Sequence, residues 1–292
     1  MITAIGFASV MLARWLSAPI RHLTEMADRM AEGDLEAPIR PHGPHEIRRL
    51  AVAFETMARR VREMLVQQRQ FVDNAAHELR SPLASIRLRV DMLARLANGQ
   101  AQDKERFERY LRETQVQLIG LEHLVNDLLL LSSVEQEHLP TEPLDLAPLL
   151  YELADEMAPL MRAKALHVRM EVPPHLPTVQ ANRTYLRVAV RNVLDNAIKY
   201  TPEGGEVVLR AYATANEVIV EVEDTGPGIP PDEVEHIFDR FYRSQTARSS
   251  RTSGVGLGLA LVHTIVTNHG GRVDVESWPG KGTCFRLHLP TS

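Results

Sequence analysis

The sequence predicts a multidomain chain, with all-α segments first and an α/β sandwich after them. Three observations carry this. Apolar residues step by three and four from Ile20 to Met64 and again from Phe71 to Leu128, the period of helices packed along a seam. Gln136 to Pro148 is non-periodic and bears prolines, the composition of a linker. Beyond it, helical patterns near 146–165 and 182–200 are interleaved with alternating Val207/Leu209/Ala211, Val218/Val220/Val222 and Phe285/Leu287/Leu289, which describes a sheet with helices on one face. The 292 residues leave room for two or more domains, and 44% hydrophobic with 24% charged residues is a globular composition. A net charge of -5 provides no basic stripe, so no nucleic-acid partner is expected. The single cysteine, Cys284, excludes an internal disulfide. It stands at the outward parity of the last strand, where an incidental surface thiol is expected.

The elements follow in order. Ile2 to Ala13 is almost wholly apolar and ends at Arg14 and Trp15. Such a run reaches about 18 Å as a helix, short of a hydrocarbon core of about 30 Å. It is expected to be the end of a membrane helix, with Arg14 and Trp15 at the cytoplasmic interface; an interfacial or buried helix is the alternative. From Pro19 a first seam holds Ile20, Leu23, Ala27 and Met30, and Gly33 to Pro44 breaks it with two glycines and three prolines. A second holds Ile47, Leu50, Phe54, Met57, Val61 and Met64. Two short seams cannot bury themselves alone, and paired across a homodimer they make a four-helix bundle. The pattern resembles a HAMP signal-relay module, with a generic coiled coil as the alternative.

The second seam continues into FVDNAAHELRSPLASI, where Phe71, Ala75, Leu79 and Leu83 are each four apart before Ile86, Val90, Leu93 and Ala97 resume three and four. This stutter locally unwinds a supercoil. Asn98-Gly99 is expected to turn the chain into a second helix carrying Phe107, Leu111, Thr114, Leu118, Leu121, Val125 and Leu128. His77 lies two residues from both Ala75 and Leu79, about 200° of rotation from each, so it points away from the seam. Glu78 beside it can take a proton from one ring nitrogen and leave the other nucleophilic. Pro82 removes a backbone donor and crowds the Glu78 carbonyl, loosening the helix near the ring.

Taken whole, FVDNAAHELRSPLASI resembles the H box of orthodox sensor histidine kinases. The resemblance implies His77 as phosphoacceptor and Glu78 as its acid/base neighbour. It also implies that the residue four beyond the histidine positions water for dephosphorylating a partner. Here that residue is Ser81, where the family usually has threonine or asparagine.

The last segment carries a series of polar motifs. In NVLDNAIKY, Asn192, Asn196 and Lys199 share one helical face, with Tyr200 beside it. Asparagines are poor mid-helix residues, and their amide oxygens suit Mg²⁺, most directly at Asn196. Lys199 can meet phosphate charge and Tyr200 can lie against adenine. A polar surface face is the bland alternative. Asp224 continues the inward parity of Val218, Val220 and Val222, where a carboxylate needs a donor such as the adenine amino group. Gly226 and Gly228 let the backbone pass close to a base, although DTGPGI alone also reads as a tight turn. GVGLGLAL places Gly254, Gly256, Leu257 and Gly258 at a helix start, a cradle for phosphates. No strand precedes those glycines directly, which excludes a dinucleotide-binding turn.

IFDRFYR resembles the family's phenylalanine box, implying that Phe238 and Phe241 anchor a lid over ATP and that Arg243 reaches the terminal phosphate. Gly280 to Thr283 resembles the closing glycine-threonine element. The stretch Ser244 to Ser253 is expected to be mobile. Related ATPases place a glutamate where Asn192 stands, so water attack should be suppressed in favour of His77.

The expectation is therefore a sensor histidine kinase of a bacterial inner membrane. Residues 1–16 would be a partial membrane helix, 17–68 the HAMP-like module and 69–136 the dimerisation and phosphotransfer hairpin. A linker at 137–147 would lead to an ATP-binding domain at 148–292. Cofactors would be ATP and Mg²⁺, and the phosphoryl group would pass to an aspartate of a separate response regulator receiver domain. The alternative is a phosphatase-dominant protein or an ATP-binding adaptor.

Overall fold

Where the apolar period is three and four, the backbone is helical. The computed structural model describes residues 17–18, 20–32, 34, 45–97, 104–136, 140–245 and 254–291. The N-terminal apolar run, nearly all of the Gly33–Pro44 connector, the Asn98-Gly99 turn and residues 246–253 of the expected mobile stretch lie outside these. The chain divides into two compact units, Met1–Asn74 and Ala75–Ser292. Among the described residues no helix is long and apolar enough to cross a membrane.

In the first unit a helix over residues 20–31 (α1) is followed by the start of α2, His45–Ala97. Met26, Ala51 and Ala58 are buried, with Leu23, Met30 and Phe54 packed against them. Leu23, Met30 and Phe54 belong to the expected seams, and Leu50, Met57, Val61 and Met64 of the second seam are between 36% and 66% exposed in the single chain. Alanines at 51 and 58 let α1 approach that face of α2 closely, and the larger residues are left as an apolar stripe beside it.

The second unit holds the rest of α2 and then α3 (Lys104–Gln136), β1 (Glu142–Leu144), α4 (Leu146–Ala163), β2 (His167–Glu171), β3 (Val179–Ala181) and α5 (Arg183–Tyr200). These are followed by β4 (Glu206–Ala213), β5 (Glu217–Asp224), a 3-10 turn at Val234–His236, α6 (Gly258–Asn268), β6 (Arg272–Trp278) and β7 (Gly282–Pro290). On α2, Arg89 Nε donates to Glu113 of α3 at 3.1 Å. At the far end of α3, Leu131 and Val134 are buried, and the Asn268 side chain donates to the Val134 carbonyl.

Five strands form one sheet in the order β2-β4-β5-β7-β6, with β2 and β4 parallel and the rest antiparallel. Register explains its two faces. Leu209, Val222 and Phe285 are aligned across β4, β5 and β7, as are Ala211, Val220 and Leu287, and all are buried. Helix α4 buries Leu146, Leu149, Leu150, Leu153, Met157 and Met161 and packs against α5, which in turn meets β5. The other face carries an ionic ladder. Arg210 contacts Glu171, Glu221 and Glu223 at 2.7, 2.7 and 2.6 Å, and Arg286 contacts Glu221 and Glu276, both at 2.7 Å.

Cys284 corrects the sequence expectation. Its parity is outward, opposite Glu223 and Glu276, yet it is only 4% exposed. The long side chains of the ladder cover this small residue on a central strand. Burial, followed by the charge of Glu221, pushes the thiol up to about 12.

Helix α5 starts at Asn182, whose Oδ1 accepts from Thr184 N–H at 3.0 Å and Tyr185 N–H at 3.3 Å. Its own N–H donates to His269 Nε2 at 2.9 Å, while His269 Nδ1 lies 2.7 Å from the Ile265 carbonyl. The tautomer follows: Nδ1 carries the proton and Nε2 accepts. This buried ring joins the end of α6 to the start of α5. Replacing His269 with leucine strands the Asn182 N–H and is expected to cost about 1–3 kcal/mol. Urea unfolding of the variant checks this, and an unchanged midpoint contradicts it.

Candidate active site

The two carboxamides, the lysine and the tyrosine of α5 come together with both glycine loops around one cavity of about 280 Å³. From α5 come Asn192, Asn196, Lys199 and Tyr200; from the end of β5 and the loop after it come Asp224 and Gly228; from the second glycine run come Gly254, Gly256, Leu257 and Gly258. Arg243 and Thr283 also line it. Gly226 does not: it is buried behind Asp224 and donates its N–H to Asp224 Oδ1 at 2.7 Å.

Asp224 is 8% exposed, and burial pushes its carboxyl from 3.8 up to about 6, against the lowering effect of the Gly226 and Thr283 backbone bonds. Thr283 lies directly opposite it in the β5–β7 register. The Thr283 hydroxyl is 2.9 Å from Ser277 Oγ, which also accepts from Ile229 N–H at 2.8 Å and lies 3.2 Å from the Gly282 carbonyl. One serine of β6 thus clasps the Asp224–Ile229 loop to the start of β7. Gly228 needs its missing side chain: φ is +70°, and a Cβ would sit 2.3 Å from the Trp278 carbonyl.

At the other end, burial lowers the Lys199 ammonium and so does Arg243, while Asp195 raises it. The last turn of α5 is capped from outside, because Lys164 Nζ donates to the Ile198 and Lys199 carbonyls, both at 2.8 Å. Asn192 donates back to the Val188 carbonyl at 2.9 Å. Helix α6 begins at Gly258, and its N-cap Leu257 makes no side-chain capping bond, leaving the first-turn N–H groups as anion donors. Gly256 has φ of +80°, and its carbonyl accepts from Phe241 N–H at 2.9 Å, joining the glycine run to the phenylalanine segment. Phe238 packs on the His263 ring with centroids 5.5 Å apart.

Sequence reading missed part of the wall. Gly120, His123, Leu124 and Asp127 of α3 line the same cavity. Burial raises the Asp127 carboxyl, with His123 lowering it and Asp195 raising it further. None of His77, Glu78 and Ser81 is among the described lining residues. His77 is exposed on α2, as its rotation from the seam predicts; Glu78 is half-buried and Ser81 is exposed one turn further along.

Residues 181–292 match the family model for histidine kinase-, DNA gyrase B- and HSP90-like ATPases. Residues 67–137 match the His Kinase A (phospho-acceptor) domain, and 11–63 match the HAMP domain. The signal transduction histidine-protein kinase/phosphatase MprB of Mycobacterium leprae is 36% identical over 299 residues, covering 99% of this chain and 56% of that protein. The chain therefore spans about half the length of this relative. The structure of ShkA in complex with AMPPNP aligns with a TM-score of 0.55 at 30% identity, over 77% of this chain and 46% of that one. Histidine kinase ThkA, in complex with response regulator protein TrrA, aligns with a TM-score of 0.63 at 24% identity, over 80% and 65% of the respective chains, and shows the fold. With these three domains in this order and MprB among its relatives, the chain belongs to the HAMP-containing sensor histidine kinases.

Proposed function

We propose that the chain phosphorylates its own His77 from Mg-ATP and passes the phosphoryl group to an aspartate of a separate response regulator. The observation that carries this is an exposed histidine beside a carboxylate in a helix, in a chain that also holds a cavity lined by paired asparagines, a lysine, an arginine and a buried aspartate. The complex of the structural relative ShkA with AMPPNP supports nucleotide binding here.

Asp224, held from behind by the Gly226 N–H, would accept from the adenine amino group, with Tyr200, Gly228 and Thr283 shaping that end. Lys199, Arg243 and the N–H groups after Gly254, Gly256, Leu257 and Gly258 would balance the phosphates. Among the described residues no cluster of three or more His, Cys, Asp or Glu side chains could hold a metal. The neutral oxygens of Asn196, supported by Asn192, fit an ion that keeps water and phosphate oxygens in its shell, as Mg²⁺ does. Bound there, Mg²⁺ would neutralise phosphate charge.

In the reaction a ring nitrogen of His77 attacks the terminal phosphorus as the bond to the bridging oxygen of ADP breaks. Glu78 holds the proton on the other ring nitrogen and takes it as charge develops. Positioning and charge neutralisation carry most of the acceleration. Paired apolar stripes on α2 and α3 support a homodimer, and the apolar run at 2–13 supports tethering to a bacterial inner membrane.

Incubation of the protein with Mg-ATP and labelled terminal phosphate tests the reading. Label lost in acid and kept in base supports it; stoichiometric nucleotide binding without label would leave an ATP-binding adaptor. A phosphatase activity is the second reading, favoured by the exposed Ser81 hydroxyl four residues after His77 and by the kinase/phosphatase designation of MprB. Ser81→Ala should then slow release of phosphate from a phosphorylated regulator.

A further inference from the structure

Glu233 opens the 3-10 turn at Val234–His236 and is 7% exposed. One carboxylate oxygen accepts the backbone N–H of Gln245 at 3.2 Å, and the other has no hydrogen-bond partner among the described residues. A buried carboxylate with one donor is costly. The bond to Gln245 falls two residues beyond Arg243, which lines the cavity.

The backbone before Arg243 is held as well. Tyr242 N–H donates to the Asp239 carbonyl at 3.2 Å, and the Tyr242 ring lies 5.8 Å from that of His236. His236 Nδ1 is in turn 3.0 Å from Asp239 Oδ2. Phe241, at φ of +65°, has a backbone that side-chain-bearing residues seldom adopt. The short stretch carrying Arg243 is thus tied on its N-terminal side by Asp239 and Gly256 and on its C-terminal side by Glu233.

We infer that Glu233 is a positioning residue: by holding the Gln245 N–H it sets the reach of Arg243 to the terminal phosphate of the nucleotide. The inference rests on the reading of Arg243 given under Proposed function. A hydrogen bond to a charged group that orients a second charge is expected to be worth about a tenfold change in the affinity it controls.

The readout is the preference for AMPPNP over ADP, measured by calorimetry on the full chain. Glu233→Met, which keeps the volume and removes the acceptor, should lower that preference about tenfold while leaving ADP binding unchanged. Glu233→Gln keeps a carbonyl acceptor and should restore it. Gln245→Pro removes the donor from the other side and should reproduce Glu233→Met, so the test survives if one variant fails to fold. Arg243→Ala separates the two levels. If it leaves the preference intact, the role of Arg243 is wrong. If it abolishes the preference while Glu233→Met and Gln245→Pro keep it, or lose AMPPNP and ADP affinity equally, the positioning role of Glu233 is overturned.

Discussion

Substitution of His77 by glutamine is expected to abolish transfer of labelled phosphate to the protein while nucleotide affinity stays as it was. The two halves of this result come from different parts of the molecule. His77 is an exposed side chain on α2 and does not line the cavity, so removing the ring takes nothing from the nucleotide site. Glutamine keeps a polar side chain of similar reach, but an amide nitrogen has no lone pair free to attack phosphorus. Label should therefore fall to background. A nucleotide titration beside it should overlay the unmodified protein within error. Retention of label at another residue would mean that the phosphoacceptor is elsewhere. Glu78→Gln is the graded companion: its general-base contribution is expected to be about 10²–10⁴-fold in rate. Its half-buried place next to His77 makes a folding defect the outcome to watch by circular dichroism.

Asp224 should make nucleotide binding depend on pH. Burial holds its carboxyl up at about 6, above the ordinary 3.8, so the free folded protein keeps this proton more tightly than the unfolded chain does. For folding, the sign is that ionised Asp224 is destabilising: its unfavourable contribution is complete above about 6 and disappears as pH falls towards 4. Binding runs the other way. The adenine amino group donates a hydrogen bond and favours the ionised carboxylate, so binding should release a proton when pH is near 6. Affinity should be constant above about 7 and weaken by up to tenfold for each pH unit below 6. Asp224→Asn should flatten that slope and weaken binding at neutral pH by about 1.5–3 kcal/mol, the worth of a hydrogen bond to a charged group. Calorimetry in buffers of different ionisation enthalpy reads the released proton directly. A slope that persists in Asp224→Asn would assign it to another group.

Much of this is legible in the sequence because the signals are local. Asn182 ahead of an apolar period marks the α5 start, and the period-two runs place Asp224 on the inward face in line with Val218, Val220 and Val222. The α3 wall was not legible. His123 and Asp127 sit about seventy residues before Asn192 in sequence, on a helix face whose neighbour is decided only by packing. Lys164 and Ser277 escaped for a related reason. Each works by reaching backbone carbonyls or hydroxyls of a distant element, and a lone lysine or serine carries no pattern. In the helical seams the period is legible and Leu23, Met30 and Phe54 pack as it suggests, but the part played by the small Ala51 and Ala58 is not, because period alone favours larger residues.

The shielded sulfur of Cys284 turns the chain into a ready host for spectroscopic probes. At neutral pH a thiol held near 12 is almost wholly protonated, and with 4% of its surface open it should ignore maleimides in the native state. A second cysteine introduced on an exposed turn would then take a fluorophore alone, without mutating the resident one. Denaturant should reverse that silence, so the rate at which Cys284 becomes modified would serve as a built-in clock for opening of the sheet.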